Sequence, residues 1–155
     1  MAKTVTIGSA AFKNIFLRLD GTGVTQPIGP GGGVANAQFG PGPMQQFRLE
    51  DQADGSVAIA SVAFPKVYLR LDGRGITAPG NGGVVNAQFG VGPWEKFQVE
   101  PQDDGSYCFL SREFPNVYLR LDGTGITAPL PSGGGTVNAQ YTNNGGLAEF
   151  IVTDV

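Results

Sequence analysis

The 155-residue chain is long enough for one domain with a real core, and its mean hydropathy of −0.03 is that of an ordinary soluble protein. A net charge of −3, with no run of Lys or Arg, disfavours nucleic-acid binding and recognition of anionic membranes, because phosphate contacts need a clustered positive surface. Without His and with one Cys, the chain has no His-dependent triad, no His-containing zinc site and no intramolecular disulfide. We therefore expect neither an enzyme nor a metal or cofactor site.

The N-terminal residues lack the apolar core of a signal peptide, and no stretch approaches the length of a membrane span. We expect a cytoplasmic protein, or a secreted one if a signal has been removed. The single cysteine, Cys108, replaces Ala58 of the preceding repeat, so we interpret it as a small packing residue.

A seven-residue motif occurs three times at a spacing of about fifty residues, which indicates a repeat architecture. It is found at Ile15–Gly21, Val67–Gly73 and Val117–Gly123. We name the three repeats copy one (1–55), copy two (56–105) and copy three (106–155), and together they make one predicted domain, 1–155.

Each copy opens with a short β-prone run, Ser56–Ile59 in copy two, and the seven-residue motif follows as a second strand. Within that motif Val67, Leu69 and Leu71 alternate with Tyr68, Arg70 and Asp72, so we expect the first set in the core and the second pointing outward.

A Gly- and Pro-rich segment comes next in each copy, and we expect it to form a surface connector. A third strand then carries Asn86 and Gln88 on the face opposite Val85 and Ala87, and Phe97–Glu100 forms a closing strand. No helix longer than two turns is predicted.

Four strands per copy make twelve in the chain, all β. One copy cannot bury its apolar face alone, whereas three copies around a pseudo-threefold axis can. The count therefore predicts a β-trefoil of three four-stranded repeats. The alternative, three blades of a propeller, is disfavoured because propellers have at least four blades.

Two polar rows recur and form the candidate ligand site. A carboxylate accepts hydrogen bonds from paired hydroxyls, an aromatic ring stacks on a sugar, and side-chain amides both donate and accept. The alternatives remain open that Asp pairs with Arg or forms the turn, and that Asn anchors the adjacent loop. The candidate residues are Asp20, Asn36, Gln38, Tyr68, Asp72, Asn86, Gln88, Tyr118, Asp122, Asn138 and Gln140.

The motif Tyr68–Gly73, followed by Gly92–Phe97, resembles the repeat of fascin-like β-trefoils. Ser61–Arg70 is similar to the opening of arabinofuranose-binding trefoil modules. The first resemblance implies a protein-interaction module with actin as a possible partner. The second implies a sugar-binding module.

We therefore favour a non-catalytic, lectin-like carbohydrate-binding protein with up to three equivalent sites, whose partners are glycans or simple sugars. The alternatives are a fascin-like, actin-binding module and a structural or engineered trefoil without a ligand. The acidic pair Asp103 and Asp104 lies at a hairpin turn and is not assigned to catalysis.

Overall fold

The computed structural model describes residues 3–80, 82–142 and 146–155, and these residues form twelve β-strands joined by loops and three short 3₁₀ turns. The prediction of an all-β protein is confirmed. The strands are Thr4–Ser9 (β1), Ile15–Asp20 (β2), Val34–Phe39 (β3), Phe47–Asp51 (β4), Val57–Ser61 (β5), Val67–Asp72 (β6), Gly83–Phe89 (β7), Phe97–Pro101 (β8), Tyr107–Ser111 (β9), Val117–Asp122 (β10), Thr136–Tyr141 (β11) and Phe150–Asp154 (β12).

The second and third strands of each copy form an antiparallel hairpin with the same register in all three places. Arg70 of β6 lies opposite Asn86 of β7, and Tyr68 lies opposite Gln88. The hairpins β2–β3 and β10–β11 repeat this pairing. The two predicted polar rows therefore lie side by side on one face of each hairpin.

The remaining strands connect the copies to one another. β4 pairs with β5, β8 pairs with β9, and β12 pairs with β1, so each closing strand joins the opening strand of another copy. In this way the sheet closes on itself, and the apolar side of every strand faces one core.

The core contains the inward residues that strand alternation predicts. Val67, Leu69 and Leu71 are all 1% exposed or less. The first residue of each closing strand is a fully buried phenylalanine: Phe47, Phe97 and Phe150.

The outward-facing arginines of the first two copies are also buried, which alternation alone does not predict. Arg18 and Arg70 are 6% and 3% exposed. They lie on the outer face of their hairpins, as expected, but a loop from another copy covers them. These covering segments are the loops between the second and third strands, described below.

Each hairpin turn contacts an aromatic side chain from another copy. A Cβ on Gly73 would stand 2.7 Å from Cγ of Phe114. Gly21 meets Phe64, and Gly123 meets Phe12, in the same way. The glycine after the motif aspartate thus makes room for a phenylalanine that ties two copies together.

Candidate functional site

The outer face of each hairpin carries a carboxylate at its end, and this carboxylate organises the turn that follows. Asp20 accepts hydrogen bonds from the backbone N–H of Thr22 and from its hydroxyl, and Asp122 does the same with Thr124. Asp72 accepts from the backbone N–H and the guanidinium of Arg74. These bonds lower the pKa of each carboxyl, with a smaller contribution from the neighbouring strand arginine. The turn-forming interpretation of these aspartates thus has direct support.

The two predicted tyrosines reach the closing strand of the preceding copy. The Tyr68 hydroxyl donates to Glu50 at 2.7 Å, and the Tyr118 hydroxyl donates to Glu100 at 2.9 Å. Desolvation and the adjacent carboxylate raise the pKa of both tyrosines to about 12. Their hydroxyls therefore connect copies, and in the hairpin register Tyr68 lies opposite Gln88 and Tyr118 lies opposite Gln140.

We expect Tyr68 and Tyr118 to ionise near pH 12 rather than near their ordinary pKa of 10. A raised pKa means that the fold favours the neutral phenol, so this stabilisation is complete below pH 10 and is lost as the pH rises through about 12. A near-ultraviolet absorbance titration measures it, with Tyr118→Phe removing one late step. Ionisation of both phenols near pH 10 would contradict the assignment.

The hydrogen-bond partners of the predicted Asn and Gln residues depend on the loops between the second and third strands. We name them loop one (21–33), loop two (73–82) and loop three (123–135). From the motif glycine to the asparagine of the third strand, copy two is two residues shorter than the other copies. Each loop crosses onto the third strand of a different copy: loop one onto β7 and loop three onto β3, each through a backbone bridge.

In copies one and two, the amide side chains hold these crossing loops by their backbone. Gln88 Nε2 donates to the carbonyl of Ile28, and the N–H of Ile28 donates to Gln88 Oε1 at 2.9 Å. Asn86 Nδ2 donates to the carbonyl of Pro30 at 3.0 Å, and Arg70 donates to Asn86 Oδ1 at 3.3 Å.

The same arrangement links copy one to loop three. Gln38 binds the N–H and C=O of Leu130, and Asn36 donates to the carbonyl of Ser132 at 2.9 Å. The loops predicted to be connectors are therefore docked segments, bonded to the candidate residues of another copy.

Copy three has the same residues but a different environment, because loop two is shorter. Gln140 Nε2 donates to the carbonyl of Thr142 at 2.9 Å. A cavity of about 250 Å³ opens here, lined by Gly80, Gly82, Arg120, Asn138, Ala139 and Gln140. Thus two of the candidate residues of copy three, Asn138 and Gln140, border a polar depression together with Arg120.

The exposure of the strand arginine also differs between the copies. The side chain of Arg120 is 25% exposed, against 8% for Arg18 and 3% for Arg70. Arg120 still contacts Asn138 Oδ1 at 3.4 Å and Asp122 at 3.5 Å, so its guanidinium is held in place at the cavity wall. An ordered but accessible cation beside two amides can bind hydroxyl or other oxygen acceptors.

Copy two contains an aromatic and cationic cluster that the sequence analysis did not assign. The ring of Trp94 lies 4.7 Å from the guanidinium carbon of Arg70 and 4.9 Å from that of Arg74. Its centroid is 5.4 Å from that of Phe114. Met44 and Leu147 occupy the matching positions, so the cluster occurs once. The guanidinium groups and Phe114 already pack against this ring.

A larger cleft of about 410 Å³ lies between Arg74, Ile76, Phe114 and Tyr141. It contains none of the predicted Asp, Asn, Gln or Tyr positions, and its lining is mostly carbon surface and loop backbone. We therefore centre the candidate site on the cavity of copy three.

Among residues 3–80, 82–142 and 146–155, no group of three or more His, Cys, Asp or Glu side chains could hold a metal ion. Within the same residues, no helix is long and apolar enough to cross a membrane. Cys108 is fully buried, as its packing interpretation requires.

Similar structures identify the architecture. The chain aligns over 99% of its length with the BEL beta-trefoil, at a TM-score of 0.66 and 15% identity, covering 93% of that chain. The fold is a β-trefoil.

Other trefoil matches extend this comparison. A ricin B-like lectin from Macrolepiota procera, solved in complex with lactose, has a TM-score of 0.66 and 17% identity, with 99% of this chain and 96% of the lectin covered. A mosquitocidal holotoxin matches all of this chain at a TM-score of 0.76 and 13% identity, but the chain spans only 17% of the toxin. No family model and no curated protein sequence matches the chain. At these identities the likeness establishes the trefoil alone.

Proposed function

We propose that this trefoil is a non-catalytic, lectin-like carbohydrate-binding protein whose binding site is the cavity of copy three. The proposal keeps one domain, 1–155, with three repeats about a pseudo-threefold axis, and reduces the three predicted sites to one. The observation that carries it is a polar cavity of about 250 Å³ bordered by Arg120, Asn138 and Gln140, where the arginine side chain is 25% exposed, against 8% and 3% for its counterparts in the other copies.

The chemistry of the cavity suits a neutral polyol. Asn138 and Gln140 each carry amide donors and an acceptor, and Arg120 adds donors that stay charged at all physiological pH values. Tyr118 lies across the hairpin from Gln140 in the strand register, at the edge of the site rather than in the lining of the cavity. Sugar sites combine these group types. A ricin B-like lectin among the structural neighbours was solved in complex with lactose, which supports a sugar as the ligand.

The fascin-like and arabinofuranose-binding resemblances remain hypotheses within this proposal. Actin crosslinking needs basic patches, and the net charge of −3 does not favour them. Actin co-sedimentation separates the two functions, because a lectin leaves actin unbound.

The function is tested with a glycan array, followed by calorimetry on any glycan that binds. We expect binding by the wild-type protein and a loss of about tenfold in affinity for Asn138→Ala, because one amide contact is removed. The matched control is Asn86→Ala, which changes the same residue in a covered copy and leaves affinity unchanged. Silence of the array across plant, fungal, bacterial and animal glycans would remove the proposal.

A further inference from the structure

The cleft of about 410 Å³ beside the turn of the second hairpin lies outside the candidate sugar site. Its lining comes from residues 73–77 of copy two and from residues 114–116 and Tyr141 of copy three. Within the described part of the chain, it shares no lining residue with the cavity of copy three. Its volume falls in the range of roughly 300–1,000 Å³ that is typical of ligand pockets, so it can hold a small molecule of its own.

The lining of this cleft is largely apolar. Ile76 is 7% exposed, and Phe114, Pro115 and Tyr141 add aromatic and aliphatic carbon surface. Contact with such surface removes the apolar part of a ligand from water, which favours binding. The lining therefore selects a ligand with an apolar body.

Backbone hydrogen bonds hold the walls of the cleft in place. The N–H of Ile76 donates to the carbonyl of Gly73 at 3.1 Å and closes the turn after β6. The N–H of Thr142 donates to the carbonyl of Asn116 at 2.7 Å, which ties the end of β11 to the segment that carries Phe114. Because the walls are ordered before a ligand arrives, binding costs less conformational entropy.

The cleft also contains an exposed guanidinium, that of Arg74. Its side chain is 68% exposed, yet it is held in position by Asp72, which accepts from Nε at 3.1 Å and from Nη2 at 2.8 Å. The guanidinium carbon also lies 4.9 Å from the ring of Trp94. The bonds to Asp72 use two of the five N–H donors of the guanidinium, so three remain for an oxygen acceptor.

The charge of Arg74 is only partly balanced by Asp72, because Asp72 also faces Arg70. Arg70 Nη2 lies 3.9 Å from Asp72 Oδ2. A second carboxyl, that of Glu95, interacts with Arg70: burial raises the pKa of Glu95, and the charge of Arg70 opposes that rise. Asp72 thus serves two guanidinium groups, and the exposed one retains donors and charge for an anion.

The turn itself does not require an arginine at this position. Thr22 and Thr124 take the place of Arg74 in the other copies. Each threonine donates from its backbone N–H and its hydroxyl to the preceding aspartate, and the same turn forms. Arg74 therefore adds to copy two a charge that the fold does not need.

We infer that this cleft binds a small apolar carboxylate, whose carboxylate lies on Arg74 and whose apolar body packs against Ile76, Phe114 and Tyr141. The inference goes beyond the proposed sugar binding and does not depend on it. An exposed ion pair alone contributes little, so the charge and the apolar body are both needed for measurable affinity.

Sodium phenylacetate is the probe, and Trp94 is the reporter. Trp94 is the only tryptophan of the chain, and it contacts both Arg74 and Phe114, whose ring centroid is 5.4 Å away. We expect phenylacetate to change the tryptophan fluorescence of the full chain in a saturable way, with calorimetry giving a stoichiometry of one. Phenylacetamide, which lacks the charge, and acetate, which lacks the ring, are expected to bind at least about tenfold more weakly.

Arg74→Thr introduces the residue that the other copies have, so we expect the variant to fold, which circular dichroism checks. It is expected to bind phenylacetate at least about tenfold more weakly in calorimetry. Arg48→Thr is the matched control, because it removes the same charge from β4, outside the lining of the cleft, and leaves the affinity unchanged. If Arg74→Thr does not fold, the comparison of phenylacetate with phenylacetamide on the wild type still tests the inference.

Four results would overturn the inference. Absence of phenylacetate binding, or equal affinity for phenylacetate and phenylacetamide, would show that the cleft does not recognise a carboxylate. Unchanged affinity in a folded Arg74→Thr variant would place the anion elsewhere on the molecule. Displacement of phenylacetate by lactose would identify the cleft as a sugar site, whereas a negative glycan array would remove the proposed function and leave this inference standing.

Discussion

Phe97→Ala is expected to lower the free energy of unfolding by about 3–5 kcal/mol, which is the usual cost of removing a fully buried aromatic ring. Phe97 has no exposed surface and begins the closing strand of copy two, where its ring enters the common core. Since the free energy of unfolding of small domains is only about 5–15 kcal/mol, this single change removes a large fraction of it.

Urea unfolding followed by fluorescence and circular dichroism measures the effect of Phe97→Ala. Phe97→Leu is the matched control, because it retains most of the apolar volume and is expected to cost clearly less. A loss below about 1 kcal/mol for the alanine variant would mean that the ring does not support the core as described.

Gln88→Ala and Gln38→Ala are each expected to cost about 1–3 kcal/mol, because they leave the N–H and C=O of a docked loop residue without their partner. Gln88 also accepts a hydrogen bond from the backbone N–H of Phe89, which is lost at the same time. The bridges between Gly32 and Ala87 and between Ala37 and Gly134 remain, so the loops are loosened rather than released.

Gln140→Ala is the internal comparison for these two variants, because Gln140 has the same register and donates to the carbonyl of Thr142 in its own copy. We expect it to destabilise by less than the other two and to affect ligand binding instead. Equal destabilisation by all three substitutions in urea titrations would show that the copies do not differ as the loop contacts indicate.

Most of the strands could be predicted from the sequence because they depend on local alternation. The alternation at Val67, Leu69 and Leu71 predicts an inward face without knowledge of the other strands, and all three residues are buried in the structure. The hairpin that brings Arg70 beside Asn86 likewise follows from two strands joined by a short segment.

The environment of the candidate site could not be predicted in the same way, because it depends on contacts between copies. Gln88 is tied to Ile28, sixty positions away, and Arg70 is buried between a loop from another copy and the ring of Trp94. Side-chain chemistry alone left two interpretations of the amides open, and the structure shows loop anchoring in two copies.

One signal in the sequence could have separated the copies. The segment from the motif glycine to the asparagine of the Asn-Ala-Gln strand is two residues shorter in copy two than in copies one and three. Because that loop crosses to copy three, the shortening changes the surroundings of Asn138 and Gln140 rather than those of Asn86 and Gln88. The sequence alone does not show which copy the shorter loop contacts, because that depends on the strand pairing.

The pairing of β12 with β1 has a consequence for the order in which the protein can be assembled during synthesis. Thr6 of the first strand lies beside Thr153 of the last, so a ribosome releases the first strand, with its early partners β2 and β4, long before β12 exists. Such distant pairings make folding slow, and an unpaired early strand is exposed to other chains meanwhile. We therefore expect the β12–β1 pairing to be among the last contacts to form during synthesis.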